Sequence, residues 1–397
     1  MKRSHLTTLA LSGLATIALM GAAHAGGFSR GTADTDTLFE SENFNIRFDE
    51  RVVFPNQKFS VNANPALVGT NFYGTYTIPS VAVKFNVSDN LRCEGTYTQS
   101  FGGDTEYESP KLPSGALSEV FHTDEFGAAC AVRFTMGTGV LSVIGGGFVE
   151  QLNYERVTDL SIPTGGALPP GSLAVLKLKG EEYGYRAGLA YEIPDIKARF
   201  SIMYRSETDY GAPGTLTVPA PLVGGPPGAT VALPAQGSGN LPQSLEFAAR
   251  SGVAPGWLVF ASAKWTDWSV LKNLTVVTPT STIVDQYNWK DGWTITGGVV
   301  HQFSDMFAGQ VSLTWDQGVS TGWDLRGDTW TLGLGGRLRG GTVPGEFRFG
   351  AGFSYLDGVA ETQYANAVIP GNIHSGFNRA TDAGYAVTLS AGYIVQW

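Results

Sequence analysis

The sequence predicts an all-β fold, a transmembrane antiparallel β-barrel of about fourteen strands, and three observations carry that reading. Apolar and polar residues alternate at period two in segment after segment. The gaps between these segments alternate between tight turns and long stretches, the pattern of hairpins that turn short on one side of a membrane and long on the other. The alternation also runs to the last residue: in LSAGYIVQW, Leu389, Ala391, Tyr393, Val395 and Trp397 share one face, where the end of a soluble domain would fray into water.

The chain opens MKRSHLTTLALSGLATIALMGAAHA. Lys2 and Arg3, the apolar run Leu9 to Met20 and the small-residue site Ala23-His24-Ala25 read as a secretory signal peptide over residues 1–25. Its removal takes away two basic residues and leaves 24 basic against 35 acidic, a net charge of −11. That sign argues against nucleic acid as a partner. No other stretch holds about 18 consecutive apolar residues, so no helix is expected to span a membrane. With 52 Gly, 22 Phe, 15 Tyr and 9 Trp but only 15% charged residues, the composition suits short strands better than helices.

Tight turns are expected at Val87–Asn90, Met136–Thr138, Pro194-Asp195, Ala254–Gly256, Ser304-Asp305 and Arg339–Gly345. The long gaps fall near 56–73, 104–119, 157–173, 210–240, 272–284, 317–326 and 357–377. Between them lie about fourteen strands, from Asn43 to Trp397, an even number that leaves both ends on the periplasmic side. The Pro/Gly-rich stretch 210–240 reads as the longest surface loop, because strand patterning of the same kind continues on both sides. In 307–316, Phe307, Val311, Leu313 and Trp315 oppose Gln310, Ser312, Thr314 and Asp316. A wet interior and an oily exterior explain such faces, since a closed barrel satisfies every backbone N–H and C=O in hydrocarbon. Trp257, Trp265, Trp293, Trp315, Trp330, Tyr355 and Trp397 are candidates for the interfacial girdles.

Three stretches carry a family resemblance. Residues 183–210, YGYRAGLAYEIPDIKARFSIMYRSETDY, resemble a strand–turn–strand motif of the FadL/TodX family of outer-membrane transporters for hydrophobic compounds. Residues 241–271, with Gly256-Trp257 and Trp265-x-x-Trp268, are similar to a second, and 80–105 to a third, in which Ser100 stands where Pro is usual. The resemblance implies a fourteen-stranded barrel plugged by a small amino-terminal hatch, for which residues 26–42 are the candidate and 43–397 the barrel. It implies passive uptake of hydrophobic molecules, long-chain fatty acids foremost, bound in an extracellular apolar groove and released sideways through the wall. Asn64-Pro65-Ala66, a triplet such hatches carry ahead of the first strand, here follows it and reads as a loop turn.

The expected partners are outer-membrane lipid and lipopolysaccharide, a hydrophobic small-molecule ligand and the barrel assembly machinery, for which Tyr393, Val395 and Trp397 resemble the terminal signal. A monomer is the family default. A carboxylate ligand needs a basic partner: Arg186, Arg205 and Lys264 are expected to face inward, and Arg156, in YERVTDL, matches a family position near the groove. The alternative is that these residues form ion pairs filling a polar lumen. Leu160, Ile162, Leu168 and Leu173 make one outer loop oily enough to supply an apolar binding wall. Cys93 and Cys130, equidistant from the middle of the 104–119 gap, either bond across one hairpin or remain free thiols facing lipid. Three mature histidines with no HExxH or Cys/His cluster supply no zinc site, and no catalytic residues, metal or cofactor are expected. The competing functional class is a general diffusion porin for small polar solutes.

Overall fold

The computed structural model describes residues 26–340, 345–367 and 377–397; the expected signal peptide, the tip of the 339–345 turn and the middle of the 357–377 loop lie outside them. The strands are β1 (Phe44–Asn56), β2 (Phe59–Val61), β3 (Tyr76–Ser88), β4 (Leu91–Lys111), β5 (Ala116–Met136), β6 (Gly139–Asp159) and β7 (Leu173–Ile193). Then follow β8 (Ala198–Arg205), β9 (Thr208–Pro219), β10 (Thr230–Leu241), β11 (Ser244–Ala254), β12 (Trp257–Thr266), β13 (Asn273–Val277) and β14 (Thr282–Gln286). The last are β15 (Gly292–Gln302), β16 (Phe307–Asp316), β17 (Thr329–Arg339), β18 (Glu346–Leu356), β19 (Ala380–Thr381) and β20 (Gly384–Gln396).

β1 pairs antiparallel with β3 on one side and β20 on the other, so Phe48 faces both Val81 and Tyr393. That pairing closes the sheet into a barrel of fourteen wall positions, with β8 and β9 sharing one and β10 and β11 another. Closure leaves no free edge in hydrocarbon. Trp397 completes this seam: its carbonyl accepts from the N–H of Phe44 at 2.9 Å, and the two rings stack at 4.6 Å.

The stretch expected as the longest loop, 210–240, is mostly wall instead. Arg205 faces Ser244 and Thr208 faces Leu241, so the β8–β11 hairpin holds one register across its two breaks and continues upward to Thr230↔Pro219. Proline is tolerated there because β10 has a second neighbour only over Gln236–Ser238, leaving Pro234 on an edge that can lack an N–H. The 272–284 gap likewise contains the β13–β14 hairpin.

Along the tall strands the two faces exchange character. In the lower half of β7, Tyr185 and Leu189 point outward and Arg186 inward; in the upper half, Lys177 and Lys179 are outside while Leu176 and Leu178 are buried within. In β6, Ile144, Phe148, Glu150 and Tyr154 all face in, while the outer face passes from Val143 to Gln151 and Glu155. The exchange falls near Tyr183 and Tyr185, placed as a membrane-interface girdle. Above it the sheet stands in water, so its outside is polar and its inside must be apolar to pack.

Candidate ligand cavity

Residues 26–42 lie inside the wall, because they touch inward-facing side chains from strands all round it. A short 3-10 turn, Thr35–Phe39, seats Leu38 among Ala129, Ala131, Ile144 and Ala190. Its acidic groups meet wall arginines: Arg47 bonds Asp34 at 2.6 Å and Glu40 at 2.8 Å, and Arg199 bonds Asp36 at 2.6 Å. Arg92 donates to the carbonyls of Leu38 and Glu40. Buried charges are stable only when paired in this way.

The first residues of the segment do something different. The β3–β4 ladder stops at Ser80↔Thr98, and β4 is bulged against β5 between Gln99 and Gly102, within the motif that holds Ser100. Here residues 28–31 act as the missing strand: Arg30 N–H donates to the Ser100 carbonyl at 2.9 Å, Gly31 N–H to Gln99 at 2.8 Å, and Gly102 N–H to the Phe28 carbonyl at 2.9 Å. Gly27, at φ +56°, packs so closely on Trp268 that a Cβ would lie 2.4 Å from its ring. Only glycine fits that position.

Above this segment is a cavity of about 170 Å³. Its floor is Phe28, whose ring meets those of Phe121, Tyr287 and Trp289 at 4.7, 5.5 and 4.7 Å. Its walls are the inverted inner faces of the tall strands, with Leu152, Tyr154, Leu178, Tyr210 and Leu274. Its roof comes from three loops, through Phe59, Phe72 and Tyr73, through Trp323–Arg326, and through Tyr364 and Arg379. Trp323 and Tyr364 pack edge to face at 5.1 Å.

The charges of the cavity are arranged unevenly. Arg156 reaches Glu119 at 2.9 Å and also bonds Asp285, and Arg379 bonds Glu361. Arg326 instead donates to the Tyr73 hydroxyl at 3.1 Å and lies over the rings of Phe28 and Tyr73, 5.2 and 5.3 Å from their centroids. Lys111, at the outer end of β4, lies over the Tyr107 ring at 5.7 Å. Burial, aided by the neighbouring Arg379, brings its ammonium down to about 7. Burial also lifts the Asp324 carboxyl to about 6, against the pull of Arg326.

The basic residues expected at the site fall in two places. Arg156 stands behind the cavity, bound to two of its acidic residues. Arg186, Arg205 and Lys264 line a smaller space lower down, beside residues 29–35. There Arg186 bonds Glu125, Arg205 bonds Glu125 at 3.0 Å and Glu150 at 2.8 Å, and Lys264 approaches Thr32 at 3.4 Å. Leu168 is buried, Leu160 and Ile162 are half-buried and Leu173 is exposed, and none of the four lines the cavity. Cys93 and Cys130 are direct cross-strand partners of β4 and β5 and form a disulfide. Sequence reasoning missed Phe28, Tyr73, Tyr287, Trp289 and Arg326; the usable signal was the apolar inner parity of 174–178.

Residues 40–317 match the family model for the outer membrane protein transport proteins (OMPP1/FadL/TodX). The chain belongs to that family. Its place is therefore the outer membrane. A long-chain fatty acid transport protein of Salmonella typhi is 25% identical over 233 residues, a match that spans 55% of this chain and about half, 51%, of that relative. In fold, the OMPP1/FadL/TodX chain is similar to a Pseudomonas aeruginosa FadL homologue, at TM-score 0.72 and 15% identity, covering 91% of this chain and 92% of the other. It is also similar to the Pseudomonas putida toluene transporter TodX, at TM-score 0.61 and 14% identity, covering 94% and 96%.

Proposed function

We propose that this barrel is a passive uptake channel for hydrophobic compounds, with long-chain fatty acids as the substrate class and release sideways through the wall. One observation carries the reading: an aromatic cavity under the outer loops rests directly on the residues that fill the gap in the β3–β4 ladder. A ligand held there has only to displace residues 28–31 to reach the hydrocarbon of the bilayer, and it never enters water. The ion pairs of Asp34, Asp36 and Glu40 support the remainder of the segment as a fixed hatch. The barrel works as a monomer among outer-membrane lipid and lipopolysaccharide, after assembly through the terminal Tyr393, Val395 and Trp397.

The reading is tested by uptake of radiolabelled long-chain fatty acid in a strain deleted for this gene, with and without a plasmid copy, beside uptake of an aromatic hydrocarbon. Rescue of fatty-acid uptake is expected. Rescue of the hydrocarbon alone would change the substrate class, and rescue of neither by a correctly inserted barrel would move the function to a porin.

A further inference from the structure

Below the main cavity, on the β1 side of residues 26–31, is a second space of about 70 Å³. The two share Tyr73, Gly103, Leu325 and Arg326 as common wall. The lower one is bordered by Ser29, Arg30, Tyr76 and Gly102, the stretch where the N-terminal segment completes the broken ladder. Arg326, on the loop after β16, and Tyr73, on the loop before β3, meet within that common wall.

Arg326 is also the odd cation of the site. Arg156 and Arg379 are neutralised by carboxylates in direct contact, whereas Arg326 makes no salt bridge among the described residues: a phenol and two aromatic faces hold it, and Asp324 attracts it without a direct bond. A guanidinium with such partners binds a carboxylate more strongly, through two parallel charge-assisted bonds, than it binds a neutral hydroxyl.

We propose that Arg326 and Tyr73 form a partition between the two cavities that an anionic head group opens, so that the channel selects amphiphilic acids over neutral hydrocarbons of the same size. This rests on the uptake reading above. The head group takes the guanidinium from Tyr73, the hydroxyl loses its donor, and the ring is free to swing out of the common wall. A neutral chain offers nothing to compete with Tyr73 and leaves the partition shut.

The test compares palmitate with its methyl ester, by quenching of tryptophan fluorescence on the purified full chain in detergent micelles and by uptake in the deletion strain. The wild-type chain is expected to bind the acid at least about ten-fold more tightly than the ester. Arg326→Gln should erase that preference, and Arg326→Lys should restore part of it. Tyr73→Phe removes the competing hydroxyl and should tighten acid binding a few-fold, a gain that a merely structural Arg326 would not produce. Equal affinities for acid and ester in the wild type would overturn the proposal. So would an acid preference untouched by Arg326→Gln in a barrel that keeps its folded, heat-modifiable mobility. Binding reads the partition whether or not uptake occurs, so an acid preference without fatty-acid uptake would contradict the transport reading alone.

Discussion

The two sides of this barrel are built from the same kind of strand and do different work. β16, β17 and β18 are 10, 11 and 11 residues long, about 35 Å of strand, which a tilt of roughly 45° reduces to the thickness of the hydrocarbon. β4 to β7 are each 21 residues long, so their upper halves stand above the bilayer. On the short side one face is oily from end to end, with Trp330, Leu332, Leu334 and Leu338 all exposed to lipid. On the tall side the oily face moves from outside to inside at the membrane surface. Solvent, not strand geometry, decides which face is apolar, and the cavity exists because the wall outgrows the membrane.

The largest expected effect breaks the symmetry between the sides directly. Leu332→Arg puts a charge on the lipid face of the short wall and should cost about 2–4 kcal/mol. Glu181→Arg, at an outward position of the tall wall, should change stability by no more than about 0.5 kcal/mol. Urea unfolding in lipid vesicles checks both, and equal costs would place the upper half of β7 inside the bilayer. A second contrast concerns the staple between β4 and β5. Cys93→Ser with Cys130→Ser opens a loop of sequence separation 37 and should cost about 2–4 kcal/mol on the same assay, an effect with no counterpart on the short side.

The lower strands were legible because their alternation is uniform and their turns carry Asp-Asn, Gly-Thr or Pro-Gly signals. The strand number and the closing role of Trp397 both follow from that pattern. The upper strands were not legible for two reasons. Pro and Gly in 210–240 mimic loop chemistry, although edge pairing accepts them there. Leu160 and Ile162 stand out as oily loop residues but lie beyond the end of β6, whereas Leu176 and Leu178 sit on the inner face of β7 and Leu173, of the other parity, on its outer face. Arg326 and Tyr73 lie 253 residues apart, and no local pattern joins them.

Two smaller effects sharpen the account of the inner face. Leu178 is 1% exposed, and Leu178→Ala should weaken palmitate binding about ten-fold while Val143→Ala, on the lipid face of β6, leaves it unchanged; the ratio follows from losing roughly 1–2 kcal/mol of apolar contact. Fluorescence titration decides this. The smallest effect is on pH. Lys111 faces Arg379, Glu119, Glu361 and Asp285, and Asp324 faces Arg326, Ser320, Trp289 and Glu361. With Lys111 at about 7 and Asp324 at about 6, going from pH 8 to pH 6 protonates the first and half-protonates the second. The cavity gains roughly one positive charge. Hexadecyl sulfate, whose head group stays ionised at both pH values, should therefore bind a few-fold more tightly at pH 6, and methyl palmitate should bind equally at both.

The most direct test of the central claim is a structure of the full chain solved with palmitate bound. The acyl chain is expected against Leu178, Tyr210 and Tyr287, above Phe28, with its head group toward Arg326. A chain lying among Leu160, Ile162 and Leu168, with the inner cavity unfilled, would contradict it.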